Sequence, residues 1–234
     1  MAVPVVESFT SGTSLSSGAV VTVAKPAGLA TGDLCLVFAS ADTTTAGASY
    51  VDKTGWTRVK DFGAGGTIDD GLAIFWRIAD GTEGATEGFT ENGTGHDLWA
   101  YWIRVSGVDT TTPFHVFGAE TLIALSPAEI ASATTTIADC LAFYVLTFDG
   151  GDQTSFSVAG AGWSESSEIN AGTGASNNSG CWGTKNMASA GATGPATISV
   201  VTNNDSSASI IFAIAPTGGA PATRFPGTLM MGMG

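Results

Sequence analysis

Residues 97–105 read DLWAYWIRV, nine positions in which only Asp97 and Arg104 are charged. Strand alternation sends Leu98, Ala100, Trp102 and Arg104 to one face, and Trp99, Tyr101, Ile103 and Val105 to the other. Neither face suits water. The stretch is therefore expected in the middle of a sandwich, or with one face in the core and the other against a neighbouring subunit. On the second arrangement Trp99, Tyr101 and Trp102 are the expected subunit contacts.

On either side of this strand the chain reads as short strands separated by turn residues. Residues 3–9 and 18–24 open it, and DLCLVFAS from Asp33 to Ser40 is strongly apolar. Gly55-Trp56 introduces the alternating WTRVKDF, Gly71 to Ile78 reads GLAIFWRI, and the Asn92-Gly93 turn leads into the central strand. Residues 106–138, with Pro113 and Pro127, read as a bridging strand and connector. Then the pattern restarts. Asp33 is echoed by Asp139, Gly55-Trp56 by Gly162-Trp163 and Gly71 by Gly180, at offsets of 106, 107 and 109. Ala208 to Ala215 takes the place of the central strand. So slow a drift indicates two copies of one β unit of about five strands, over approximately 30–108 and 136–216. Neither copy has a helical pattern that could cover a sheet, so two sheets packed on one another are expected. Trp56 and Trp163 are expected as matched core residues.

Composition agrees. The 234 residues include 32 glycines, and only 12% are charged, which favours an all-β chain long enough to bury a sizeable core. With so few charged residues, much of the surface is expected to be covered by other protein. The net charge of −13 and the absence of a basic cluster argue against nucleic-acid binding. Cys35, Cys140 and Cys181 lack metal-ligand spacing. The first residues lack the basic region of a signal peptide, and no apolar run reaches membrane-span length. Synthesis in a cytoplasm, without membrane insertion, is the expectation. The sequons at Asn92, Asn177 and Asn204 read as turns.

The polar residues show no catalytic or metal signature. His96 and His115 stand in unlike contexts, and no GxSxG elbow supports a triad. Glu165 and Glu168, three apart on a strand, are expected on opposite faces, which defeats a carboxylate pair of the kind glycosidases use. Glu83 and Glu87 read as solvated loop acids. The segments 69–71 and 149–152 do not match a calcium loop and read as hairpin turns. The six tryptophans sit at strand spacing, which suits core or interface better than a sugar platform. No catalytic residue, cofactor site or metal site is expected.

From Pro216 the material changes. Residues 217–234, TGGAPATRFPGTLMMGMG, carry one charge and an apolar tip. They read as an extended Gly/Pro tail with Phe225, Leu229, Met230 and Met231 as anchors on a partner.

Gly32-Asp33-Leu34, Gly55-Trp56, Phe75-Trp76-Arg77, Asp80-Gly81 and Ile211 to Pro216, in that order, resemble the β-sandwich structural proteins of tailed bacteriophages. The likeness covers roughly residues 30–216. It implies a jelly-roll-like antiparallel sandwich and a virion component: a capsid decoration (cement) protein, a head fibre, or a tail or baseplate part. It also implies self-association, often as a homotrimer, and contact with other virion proteins such as the major capsid protein. The alternative it implies is binding to a receptor or host surface glycan. It supplies no catalytic residues, and the tail lies outside it.

Overall fold

A computed structural model describes residues 2–15, 19–43, 49–63, 70–93, 96–123, 127–149, 155–172, 178–200 and 207–218. The chain is all-β, with no helix among these residues. Seven strands form a first half: β1 (Val5–Ser14), β2 (Val20–Ala24), β3 (Leu34–Asp42), β4 (Thr57–Phe62), β5 (Asp70–Ile78), β6 (Thr86–Thr90) and β7 (Leu98–Ser106). Next come β8 (Phe114–Phe117), β9 (Thr121–Ile123), β10 (Ala128–Ile130), β11 (Thr134–Thr135), β12 (Cys140–Asp149) and β13 (Phe156–Ala159). The chain closes with β14 (Ser164–Ala171), β15 (Asn178–Met187), β16 (Gly191–Ala192), β17 (Ala196–Val200) and β18 (Ser207–Ile214).

One large sheet has the order β1-β7-β3-β5-β4, and the other β14-β15-β12-β18-β8, with β9 also on β18. In the first half the antiparallel pairs β1–β7, β2–β6 and β3–β5 nest one inside another. The second half repeats these three pairings and adds β9, β11, β13 and β16. The order β7-β3-β5-β4 recurs as β18-β12-β15-β14, β8 takes the place of β1, and β10–β17 takes the place of β2–β6.

The two large sheets pack face to face. Leu36, Phe38, Ile74, Trp99, Tyr101 and Ile103 meet Phe143, Val145, Trp182, Ile210 and Phe212 in the central core. The alternate residues of the same strands point outward into two further cores. One lies under β2–β6 and contains Val37, Phe75, Phe89 and Trp102. The other lies under the β10-β17-β13 sheet and contains Tyr144, Phe148, Cys181 and Ile198. The expected pair of sheets is therefore the middle of a four-layered body. The strands of the outer layers are short and half polar, so the sequence shows them only weakly.

At the heart of the central interface lies a polar cluster. Asn178 Oδ1 accepts from Thr147 Oγ1 (2.7 Å) and Trp99 Nε1 (2.9 Å), and Asn178 Nδ2 donates to Ser40 Oγ (2.9 Å). Ser40 and Thr147 occupy equivalent places in the two halves and meet at 2.6 Å. Gly180 makes room for Trp99: a Cβ there would lie 2.3 Å from the indole and 2.7 Å from the Leu146 carbonyl.

Candidate interaction surface

Trp99 and Tyr101 lie between the halves, and Trp102 lies in the first outer core, edge-on to Trp56 at 5.5 Å. None of the three is more than 1% exposed. This corrects the expectation that they contact a neighbouring subunit. The chain itself covers both faces of β7, one with the second half and the other with the β2–β6 layer. The proposed anchors Phe225, Leu229, Met230 and Met231 lie outside the described residues. The last described residues are tied to the body: Thr217 N donates to Gly107 O (2.9 Å), and Pro216 bridges to Val108. Gly107 packs so closely that a Cβ would lie 2.5 Å from the Val3 carbonyl oxygen. The described chain thus ends beside the start of β1.

Among the described residues the exposed large apolar side chains are Val3, Val5, Phe9, Leu15, Val20, Val51 and Leu122, and the first five fall on or near β1 and β2. β1 is an edge strand, and its Phe9 marks a difference between the halves. Phe9 pairs with Ile103 on β7, and Phe117 with Phe212 on β18, at equivalent positions. Over Phe117, Lys60 of β4 places its ammonium 5.4 Å from the ring and pairs with Glu120 at 2.7 Å. The position equivalent to Lys60 is Ser167 on β14, whose short side chain meets the Tyr101 hydroxyl at 3.0 Å. Phe9 therefore sits edge-on to Trp182 at 5.2 Å and stays 40% exposed. One lateral seam of the sandwich is capped by a cation and the other is open. The sequence carries a signal for this, the offset of 108 between Phe9 and Phe117, which lies outside the repeat legible from residue 30 onward.

The candidate catalytic groups do not converge. His96 Nδ1 meets the buried Glu91 carboxylate. His115 Nε2 accepts from the Thr136 amide at 3.0 Å, and burial lowers the His115 pKa. Trp56 and Trp163 are 8% and 7% exposed, as matched core residues should be. Phe9 is the only exposed aromatic among the described residues. Glu83 is buried, not solvated, and accepts from the Asp80 and Gly81 amides. Glu87 pairs with Lys53 at 2.8 Å. Asp69 and residues 150–152 lie outside the described residues. Among those described, no three His, Cys, Asp or Glu side chains converge as metal ligands. Cys35, Cys140 and Cys181 are free and buried, and burial pushes the Cys35 thiol to about 12 and that of Cys140 to about 11.

Glu165 and Glu168 need a correction. A bulge between Glu165 and Ser167 breaks the alternation, so Glu165 pairs with Gly183 and Glu168 with Cys181. Gly183 and Cys181 are two apart on β15, which puts both carboxylates on one face. Burial, and then the Glu168 carboxylate beside it, raise the Glu165 pKa above its ordinary value.

No family model, no curated protein and no solved structure matches the chain.

Proposed function

We propose that this protein is a non-enzymatic structural component of a tailed-bacteriophage virion, made in the host cytoplasm and acting as a capsid decoration protein. The observation that carries the reading is where the unsatisfied apolar surface lies. Five of the six tryptophans are buried in the cores and Trp76 is half-buried against the central one, while Val3, Val5 and Phe9 stay exposed along an edge strand. The chain leaves its described body beside that strand and continues into the apolar-tipped residues 219–234. An edge with exposed apolar groups, next to a Gly/Pro tether, suits a protein that clamps neighbours. Copies of itself, as a trimer, and the major capsid protein are the proposed partners, through burial of apolar area at many repeated contacts. A receptor- or glycan-binding role remains the alternative, but it calls for a cluster of exposed aromatics, and among the described residues Phe9 stands alone.

Cryo-EM of the intact particle tests the proposal. Regular copies on the icosahedral shell support decoration, whereas density only on the tail or on projecting fibres refutes it. Deleting residues 219–234 is expected to leave the fold intact and to remove the protein from the particle. Unchanged incorporation would eliminate the anchor role of Phe225, Leu229, Met230 and Met231.

A further inference from the structure

The bulge in β14 has a counterpart in β4, where the register shifts between Arg58 and Lys60. Arg58 and Asp61 there occupy the places that Glu165 and Glu168 occupy in the second half. The acid is retained in kind. Asp61 accepts the Ser49 amide at 2.8 Å, and Glu168 accepts the equivalent Phe156 amide at 2.9 Å. The cation is not. In the first half the Arg58 guanidinium bridges Asp61 (2.6 Å), Asp52 (2.9 Å) and the Tyr50 carbonyl. In the second half its place is taken by another carboxyl group.

A buried hydroxyl points into the same place. Tyr144, Gly183 and Glu165 stand side by side across β12, β15 and β14. The Tyr144 ring crosses Gly183 so closely that a Cβ would lie 2.5 Å from Cε1 and 2.7 Å from Cζ. Its hydroxyl is thereby carried toward Glu165. Tyr144 is fully buried, and its hydroxyl has the Cys181 thiol beside it but no nitrogen or oxygen hydrogen-bond partner among the described residues.

No described cation is available to the pair. Lys25 and Lys185 are held by carbonyl oxygens, and Lys53, Arg58, Lys60, Arg77 and Arg104 by carboxylates. Of the eight lysines and arginines only Arg224 remains.

We propose that Glu165, Glu168 and the Tyr144 hydroxyl form a subsite for a guanidinium group, the side chain of an arginine brought from outside the described fold. The first half shows the same bulge holding that group from within. Two carboxylates and one hydroxyl suit a planar, many-donor cation, whereas calcium takes six to eight oxygen ligands. The arginine comes either from Arg224 of this chain or a second copy, or from another protein. The subsite does not depend on the virion reading.

Ethylguanidinium chloride is the probe, titrated at constant ionic strength into the full-length protein and followed by the amide resonances of Phe156 and Gly183. Saturable shifts in the millimolar range are expected, and Glu165→Gln should abolish them. A response in the wild type assigns the subsite to another protein's arginine. A response that appears only in Arg224→Ala assigns it to Arg224. Silence in both proteins overturns the proposal, as does a response to calcium with none to ethylguanidinium. Glu165→Arg should reproduce the Arg58–Asp61 pair, raise Tm and no longer respond to the probe. A lowered Tm would also overturn the proposal, and if that variant does not fold, the Glu165→Gln titration decides.

Discussion

Gly180 and His115 show how single residues hold this body together. Gly180 has no side chain because the Trp99 indole fills the space, so Gly180→Ala forces either the ring or β15 to move. Overpacking of this kind costs about 1–3 kcal/mol. Chemical denaturation should find a loss in that range, and an unchanged midpoint would mean the indole can relocate freely. His115 carries a pH dependence. Its Nε2 accepts from the Thr136 amide, which a protonated ring cannot do, and burial lowers its pKa in the fold. Below the ordinary value near 6.5 the unfolded chain binds the proton more readily than the folded one. The contribution of His115 is therefore complete above that pH and is lost as the pH falls through it toward the lowered folded value. Replacement by Asn should flatten the slope of stability against pH over that interval, which thermal melts across the series would show.

At the scale of elements, the contrast between the two seams can be tested by exchanging their residues. Ser167→Lys places an ammonium where it can cover Phe9 as Lys60 covers Phe117. An exposed cation–π contact contributes about 0.5–1 kcal/mol, partly offset by the lost Ser167–Tyr101 hydrogen bond. If the open seam joins copies of the chain, the variant should sediment as a smaller species than the wild type. Identical sedimentation would separate Phe9 from self-association. The long strands were legible in the sequence because both of their faces are apolar, as in DLWAYWIRV and DLCLVFAS. The strand at 18–24 was legible too, but the outer layers were not, because β2, β6, β10 and β17 are five residues or fewer and present only one apolar face. For the same reason the second face of β7 looked free for a neighbour. The carboxylate pair was misread because a bulge adds a residue without leaving a mark in the pattern. Only the match between Arg58–Asp61 and Glu165–Glu168, at an offset of 107, could have revealed it.

At the scale of the whole molecule the question is whether the halves are two domains or one folding unit. The central core joins them over the faces of both large sheets, and the Asn178 cluster draws on β3 and β7 from one half and β12 and β15 from the other. Neither half could expose that face to water without losing its largest apolar surface, so the two should unfold together. Asn178 allows a sharp test, because it satisfies groups from both halves at full burial. Asn178→Ala leaves the Trp99 indole N–H without its acceptor and removes a partner from Ser40 and Thr147. A buried polar group stripped of its partner costs about 1–3 kcal/mol. Calorimetry should show one transition in the wild type and one in the variant, displaced as a whole to lower temperature. Two resolved transitions, with only the second-half core shifted, would show instead that the halves fold as separate domains and that the polar cluster does not couple them.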